Sequence, residues 1–402
     1  MTIDRIILET SHGKDYILAH PEETIAQALR KRGVPVSAVW TYTKPADGHA
    51  EFISAESRME QLSDQPYARI SRNINTLGLT RPRASATGTE SDDAVTEWAF
   101  PDPMEGAFSV TVRGLTQQEC VAIVESEVDQ VLKDHRDTFG ECALTIGTSG
   151  GGDSNAMLSA IMASPHIEAR NVHPVMMLGI PDWDTQLHNA QTVCENYGLT
   201  LNTVDVEDAT RIAGVRSFSE TRDAFFTRFP DADMEFLATW LLRRVLGGYA
   251  KSIGSSTVVI GSNREDILGD GLLRLAQGLP PLTVPFRKVG STTFVYPLYN
   301  VPKKIGDGTH PKFSLENYEA RYASHSAGRS VFYHLAYLLS DALPGLDRTY
   351  SSGFRKLAQS IGVVDDQLTF DEAIGDYALK GSYTPEQLGR WKAFLTEVKA
   401  ES

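Results

Sequence analysis

Apolar residues fall in two rhythms along the second half of the chain. A continuous apolar run of strand length at residues 174–179 and further strand-like segments at 199–206 and 257–261 alternate with stretches whose apolar positions recur every three or four residues. Leu187, Ala190, Val193, Cys194 and Tyr197 share one face of a helix that stops at Gly198. Phe236, Leu237, Trp240, Leu241 and Val245 give the buried side of another, over 234–249. Strands apolar on both faces, alternating with helices, predict a parallel sheet covered by helices, with ligands at the carboxyl ends of the strands.

The first 80 residues have a different pattern. Short β-rich runs at 3–9 and 16–19 flank the polar Ser11-His-Gly-Lys-Asp15 and predict a hairpin. Thr24-Ile-Ala-Gln27 fits a capping box, Gly33 falls just past the helix end, and 36–42 supplies a third strand after Pro35. Hairpin, helix, strand resembles the opening of a β-grasp, or ubiquitin-like, fold. Ubiquitin-like sulfur carriers end in an exposed Gly-Gly tail, and none closes this unit near Asn75-Thr-Leu-Gly78, so a docking or lid module is the more economical reading.

The stretch Thr80-Arg-Pro-Arg-Ala-Ser-Ala-Thr-Gly-Thr-Glu-Ser-Asp-Asp93 has the composition of a solvated linker. A helix is expected over 115–132, with Cys120, Ile123, Val124, Val128 and Val131 inward. Beyond residue 310 two apolar stripes predict helices. One carries Val331, Phe332, Leu335, Leu338 and Leu339; the other carries Leu388, Trp391, Phe394, Leu395 and Val398 after a Thr384-Pro-Glu-Gln387 capping box. The expected architecture is α/β. It comprises an N-terminal α+β unit (1–80), a linker (81–95), a Rossmann-like parallel-sheet domain (96–310) and a helical C-terminal region (311–402).

Composition adds limits. With 41% hydrophobic and 22% charged residues the chain reads as an ordinary soluble protein, and the absence of a signal-peptide layout or an apolar run of about 18 residues predicts a cytoplasmic protein that does not enter a membrane. A net charge of −14 counts against a polyanionic partner such as tRNA. Cys120, Cys142 and Cys194 form no Cys-x-x-Cys pair, so buried single thiols are expected rather than zinc ligands or disulfides.

The chemistry concentrates at Ser149-Gly-Gly-Gly-Asp-Ser154, which joins an apolar strand to a helix. Gly150, Gly151 and Gly152 free the backbone to bend and approach a ligand, and the helix start offers N–H groups and a positive dipole end to phosphate. Ser149 and Ser154 add hydroxyl donors. Asp153, a carboxylate inside an anion site, makes sense if it holds a divalent cation. Ser-Gly-Gly-x-Asp-Ser after a strand resembles the pyrophosphate (PP) loop of the N-type ATP pyrophosphatases, which split ATP between the α and β phosphates to adenylate a substrate. No Lys follows the glycines, unlike the loop of kinases and GTPases.

Two further segments are similar to those of tRNA lysidine synthetase and the tRNA two-thiocytidine synthetases. Gly261-Ser-Asn-Arg-Glu-Asp266 matches their Gly-His-x-x-Asp-Asp, with Ser262 replacing the His, and Val295-Tyr-Pro-Leu-Tyr-Asn-Val-Pro-Lys-Lys-Ile305 matches an Arg-Pro-Leu…Lys/Arg-Glu-Ile stretch, with Tyr296 where Arg is usual. The resemblance implies ATP and Mg²⁺ as cofactors. Asp153 and Asp266 would hold the metal, and Ser149, Gly150, Gly151, Gly152 and Ser154 the departing pyrophosphate. Met177 and Gly179 would border adenine, and Gly261, Arg264 and Lys303 would stand at the same rim, with Asp153, Asp266 and Lys303 catalytic. Arg243 and Arg244 read equally well as a solvated face, and Asp182 or Asp184 as a helix cap.

The function expected is AMP-forming activation of a carbonyl or amide oxygen, followed by its replacement with nitrogen or sulfur. The alternative is a non-catalytic ATP-binding module that recruits a protein partner through its ubiquitin-like unit. A tRNA base fits the branch resemblance; the acidic charge and the missing His favour a small molecule or a peptide.

Overall fold

The computed structural model describes residues 4–10, 13–44, 50–70, 86–89, 93–102, 106–140, 143–230, 234–276, 281–320, 327–342, 346–360, 368–371, 376–379 and 385–399. The chain divides into two compact units. The first contains Met1–Val124, Asn263–Leu273 and Asn300–Gly353, and the second Glu125–Ser262, Arg274–Tyr299 and Phe354–Ser402.

At the start of the first unit, β1 (Arg5–Thr10) and β2 (Gly13–Leu18) pair antiparallel. Helix α1 (Ile25–Lys31) begins at the Thr24–Gln27 capping box with both reciprocal hydrogen bonds present, and Gly33 follows its end at φ 70°. The strand expected over 36–42 is shorter. Residues 36–38 coil into a buried 3₁₀ turn in which the Ala38 N–H donates to the Pro35 carbonyl, so β3 starts at Val39 (Val39–Thr43). With β4 (Glu51–Phe52) and β5 (Pro66–Ile70), the sheet order is β2-β1-β5-β3-β4, with β1 and β5 parallel in its centre. This is the β-grasp arrangement, and Ile6, Leu8, Ile17, Ile25, Leu29 and Met59 pack between sheet and helix.

Of the segment read as a linker, 81–85 and 90–92 lie outside the described residues. Residues 86–89 form β6 (Ala86–Thr89), which joins β7 (Ala94–Asp102) and β8 (Gly106–Thr116) in a sheet of order β6-β8-β7 that the hydropathy pattern does not reveal. Helix α2 (Gln117–Phe139) buries Cys120, Val124, Val128 and Val131 as expected, but Leu115 stays in β8. Thr116 and Glu119 cap each other at the helix start, and this fixes where strand gives way to helix.

In the second unit β9 (Leu144–Gly147) leads to α3 (Gly152–Ala163), β10 (Val172–Met177), a short α4 (Pro181–Asp184), α5 (Leu187–Asn196) and β11 (Asn202–Val204). The strand expected to reach residue 206 ends at Val204. The Asp205 carboxylate accepts the Asp208 N–H at 2.8 Å and opens α6 (Val206–Ala213) there. Then come α7 (Phe218–Arg228), α8 (Met234–Ser252), β12 (Thr257–Val259), α9 (Arg264–Ala276), β13 (Phe286–Val289) and β14 (Thr292–Val295). The six-stranded sheet has the order β11-β10-β9-β12-β14-β13, parallel except for the edge strand β13. Its first four strands run 3-2-1-4 in chain order, so the winding reverses between β9 and β12, as in a doubly wound Rossmann-like sheet.

The remaining helices are α10 (Lys303–Gly308), α11 (Pro311–Ala320), α12 (Ala327–Ala342) and α13 (Leu346–Ser360). An antiparallel hairpin of β15 (Leu368–Asp371) and β16 (Asp376–Leu379) interrupts the helical region before α14 (Pro385–Val398). The stripe expected on α12 is only half-buried. Its neighbours Tyr333, His334, Ala336, Tyr337 and Ser340 are buried instead, because the turn at 36–38 packs on that side, with Ser37 Oγ donating to the Tyr337 carbonyl at 2.7 Å. On α14, Phe394 and Val398 are buried, and Trp391 and Phe394 meet Phe225 of α7 and Phe229 just past its end in tilted and edge-to-face ring contacts. Thr384 lies outside the described residues. Among the described residues no helix is long and apolar enough to cross a membrane.

Candidate active site

In the second unit, strand β9 delivers the glycine loop to the point where the sheet reverses. Gly147 packs so closely that an added Cβ would stand 3.2 Å from Ile260 and from Leu246, and the Thr148 N–H continues the ladder to the Val175 carbonyl. Gly150 then turns left-handed, at φ 72°. A Cβ there would lie 2.7 Å from the Ala190 nitrogen and the Gln186 oxygen, so the loop rests directly on the start of α5. Gly151 is the N-cap of α3 and supplies no side-chain cap, so the first backbone N–H groups of this 12-residue helix face out of its end.

The two serines close the loop onto that helix. Ser149 N–H donates to Ser154 Oγ at 3.0 Å, and the two hydroxyls are 2.9 Å apart. Asp153 sits in the first turn, where a carboxylate also complements the helix dipole. Gly261, just past β12, lies beside α3: a Cβ on it would be 3.5 Å from Met157 and 3.6 Å from the Asp153 carbonyl. At the end of β10, Met177 is buried, and Gly179 has φ 106° with its N–H held by both Asp184 oxygens, at 3.0 and 3.1 Å. Asp184 therefore fixes the Gly179 turn. Arg244, on α8, donates to the Ala213 carbonyl and lies over the Trp240 ring, so it braces α6 against α8.

Ser149, Gly150, Gly151, Gly152, Asp153, Ser154, Met177, Gly179 and Gly261 thus gather at the carboxyl ends of β9, β10 and β12. The loop passes a simple test for phosphate: a left-handed glycine sets the bend, and an added Cβ at Gly151 would meet only Ser149 Oγ, at 3.5 Å. Among the described residues, no group of three His, Cys, Asp or Glu side chains is placed to hold a metal ion. Mg²⁺ asks for less, since one or two carboxylates plus substrate phosphates are its usual shell.

Asp266, Arg264 and Lys303 belong to the first unit. Asn263 and Asp266 cap α9 reciprocally: each one's N–H donates to the other's side chain at 3.0 Å. Arg264 is buried and donates from Nε to the Asn300 carbonyl at 3.0 Å. Glu265 is fully buried and accepts the Lys303 N–H at 2.9 Å. Lys303 is 3% exposed, and its ammonium is 2.8 Å from the buried Asp307 carboxylate. Sequence reasoning missed Asn263 and Asp307, although Asn-x-x-Asp before a helix and Lys/Asp four apart are readable signals.

Cys120 and Cys194 are free and buried, and burial pushes their thiols up to about 12 and about 11. Cys142 lies outside the described residues.

Among solved structures, the chain is similar to the U34-tRNA thiolase NcsA from Methanococcus maripaludis with its 4Fe-4S cluster. Identity is 16%, over 61% of this chain and 82% of that one, with a TM-score of 0.44. It is also similar to an NH3-dependent NAD synthetase from Campylobacter jejuni subsp. jejuni in complex with the nitrate ion, at 15% identity over 63% of this chain and 100% of that one and a TM-score of 0.35. NMN synthetase from Francisella tularensis is a third, at 13% identity over 60% and 94% of the two chains and a TM-score of 0.36. No curated protein sequence matches the chain significantly. Residues 124–238, which hold the 149–154 loop, match the family described as NAD synthase, and that match supports the N-type ATP pyrophosphatase, or PP-loop, superfamily for this span.

Proposed function

We propose that this protein is an AMP-forming enzyme that uses ATP to activate a carbonyl or amide oxygen and then exchanges that oxygen for nitrogen or sulfur. The observation that carries the reading is the 149–154 loop, bent by a left-handed glycine and closed by paired serines, at the strand end where the sheet reverses. Its serines, glycines and helix N–H groups suit a leaving pyrophosphate, and charge on that group is what limits the first step. The acceptor oxygen attacks the α-phosphorus, the bond to the bridging oxygen breaks, and its electron pair leaves with pyrophosphate. The second nucleophile then attacks the activated carbon, and the carbon–oxygen bond breaks to release AMP.

In this reading Met177 and Gly179 border adenine, and Gly261 completes the nucleotide contacts. Asp153 would hold Mg²⁺ together with phosphate oxygens, and the ion would neutralise phosphate charge. Cys120 and Cys194 are buried with raised thiols, which suits neither sulfur relay nor cluster binding and favours an amine, ammonia or externally supplied sulfur. The net charge of −14 and the NAD synthase family name favour a small-molecule or peptide acceptor over tRNA.

The test is α-labelled ATP with Mg²⁺ and the small-molecule fraction of a cell extract as acceptor pool. AMP and pyrophosphate are expected, and Asp153→Ala should lose AMP formation while keeping its melting temperature. ADP as product would contradict the loop assignment. Tight binding of ATP that stays intact with every pool would favour the non-catalytic module.

A further inference from the structure

The outer face of the β-grasp sheet, turned away from α1, is not the polar surface that a sheet with one face in water needs. Ile6, Leu8, Ile17 and Ala68 point into the core between sheet and helix, so by the alternation of a strand their immediate neighbours point outward. The register lines those neighbours up in one row across all five strands: Tyr16 stands opposite Ile7, Ile7 opposite Tyr67, Tyr67 opposite Tyr42 and Tyr42 opposite Phe52. Burial falls along the row towards the edge. Tyr42 is buried, Ile7 and Tyr67 are half-buried, and Tyr16 on the edge strand β2 is 53% exposed. Leu18, the next outward residue of β2, is 79% exposed.

Cations frame the open end. Arg5 is opposite Leu18, Lys14 is one outward position along β2 from Tyr16, and Lys44 follows β3 on the same side, its ammonium 5.6 Å from the centres of the Tyr42 and Tyr67 rings. Glu9 is the one acid at an outward strand position of this sheet among the described residues, and Tyr42, Arg69 and Lys14 already hold it. Asp4 is 3.8 Å from Arg5, but both side chains are more than half exposed, and so exposed a pair holds little. A solitary apolar side chain on a surface is ordinary. A continuous row framed by cations, on a chain of net charge −14, is suited to a partner that brings both apolar groups and carboxylates.

The edge and the rings narrow the choice of partner. The Ala19 N–H donates to the Asp4 carbonyl, which in an alternating ladder turns the Tyr16 N–H to the free edge, and there the Asp15 carboxylate takes it at 2.8 Å. An added strand would find that donor occupied, so the face is favoured over the edge. Base stacking is disfavoured as well, because Tyr67 is stacked on Tyr42 with Lys14 and Lys44 over it, and Arg5 lies over Tyr16. We infer that this face binds an acidic peptide segment with an apolar anchor. Leu18 and Tyr16 receive the anchor, and Arg5, Lys14 and Lys44 receive its flanking carboxylates. The inference is independent of the ATP chemistry.

The experiment selects phage-displayed random peptides on the full chain, with the Leu18→Ser chain as subtractive target, and titrates the best synthetic sequence by calorimetry. The selected peptides should be rich in Asp and Glu around a Leu, Phe or Trp, and their binding should weaken as salt is raised. Leu18→Ser and Arg5→Glu should each weaken it roughly tenfold or more, as loss of an anchor or a charge partner does. Both variants should keep the wild-type melting temperature. A peptide with Lys in place of the acid that meets Arg5 should recover binding to Arg5→Glu.

No selection beyond the Leu18→Ser target, or selection of peptides that are not acidic, would overturn the inference. A fall in melting temperature for Leu18→Ser would overturn it too, by showing the face packed against the chain itself. Binding of single-stranded oligouridine that Leu18→Ser abolishes would assign the face to nucleic acid instead, and a sedimenting dimer that Arg5→Glu dissociates would assign it to a second copy of the chain.

Discussion

Gly150 and Gly151 are neighbours in one loop, yet they are glycine for different reasons. Gly150 combines a positive φ with backbone atoms 2.7 Å from where a Cβ would stand, whereas Gly151 is extended, with only Ser149 Oγ nearby. Gly150→Ala should therefore cost about 1–3 kcal/mol of stability, read by chemical denaturation. Gly151→Ala should leave stability near wild type but, on the proposed function, weaken ATP binding, because the added methyl group would take up space proposed for phosphate. Equal stability losses in the two variants would mean that the loop is shaped by packing alone. At this scale the sequence is a good guide, since a run of glycines marks where the backbone is free to bend. What it could not say is which glycine bends, because that depends on α5 lying underneath.

Among the elements, the β-grasp sheet carries a charge cluster on the face away from its helix. Glu9 is buried there, with Tyr42, Arg69 and Lys14 around it. Burial pushes its carboxyl up, but the Tyr42 hydrogen bond and the Arg69 and Lys14 charges outweigh that and hold it below the ordinary 4.5. A carboxylate with a lowered folded value adds stability that is complete above 4.5 and lost as the pH falls through the folded value. Unfolding curves of wild type and Glu9→Gln should thus differ most near neutrality and converge in acid; a gap that persists at the lowest pH would remove Glu9 from this role. The hairpin and the α1 cap were legible, because their partners lie within a few residues. The strands β6 to β8 were not, since a Ser/Thr-rich strand such as Ala86–Thr89 has a linker's composition and is ordered only by its neighbour β8.

For the whole molecule, three histidines set an acid limit. Burial lowers the affinity of His135, His310 and His334 for protons below the ordinary 6.5. The unfolded chain takes up protons first as the pH drops below 6.5, so stability is complete above that value and declines below it, towards the folded values. The groups lie in both compact units, with His135 in the second and the others in the first. Denaturation between pH 8 and 5 should show the decline, and His334→Leu should make it shallower. A pH-independent curve over that range would contradict the assignment.

The sequence by itself determined the parts whose physics is local: the phosphate-loop motif, the cap at Thr24, and the alternation of strand and helix that implies a covered parallel sheet. Tertiary structure alone decided the order of the strands, and with it the reversal between β9 and β12 that receives the loop. It also decided which face of α12 is buried and that Glu265 accepts the Lys303 N–H. Those outcomes depend on groups tens to hundreds of residues apart, brought together by burial of apolar surface, and a linear pattern records what each segment can bury without recording what it is buried against.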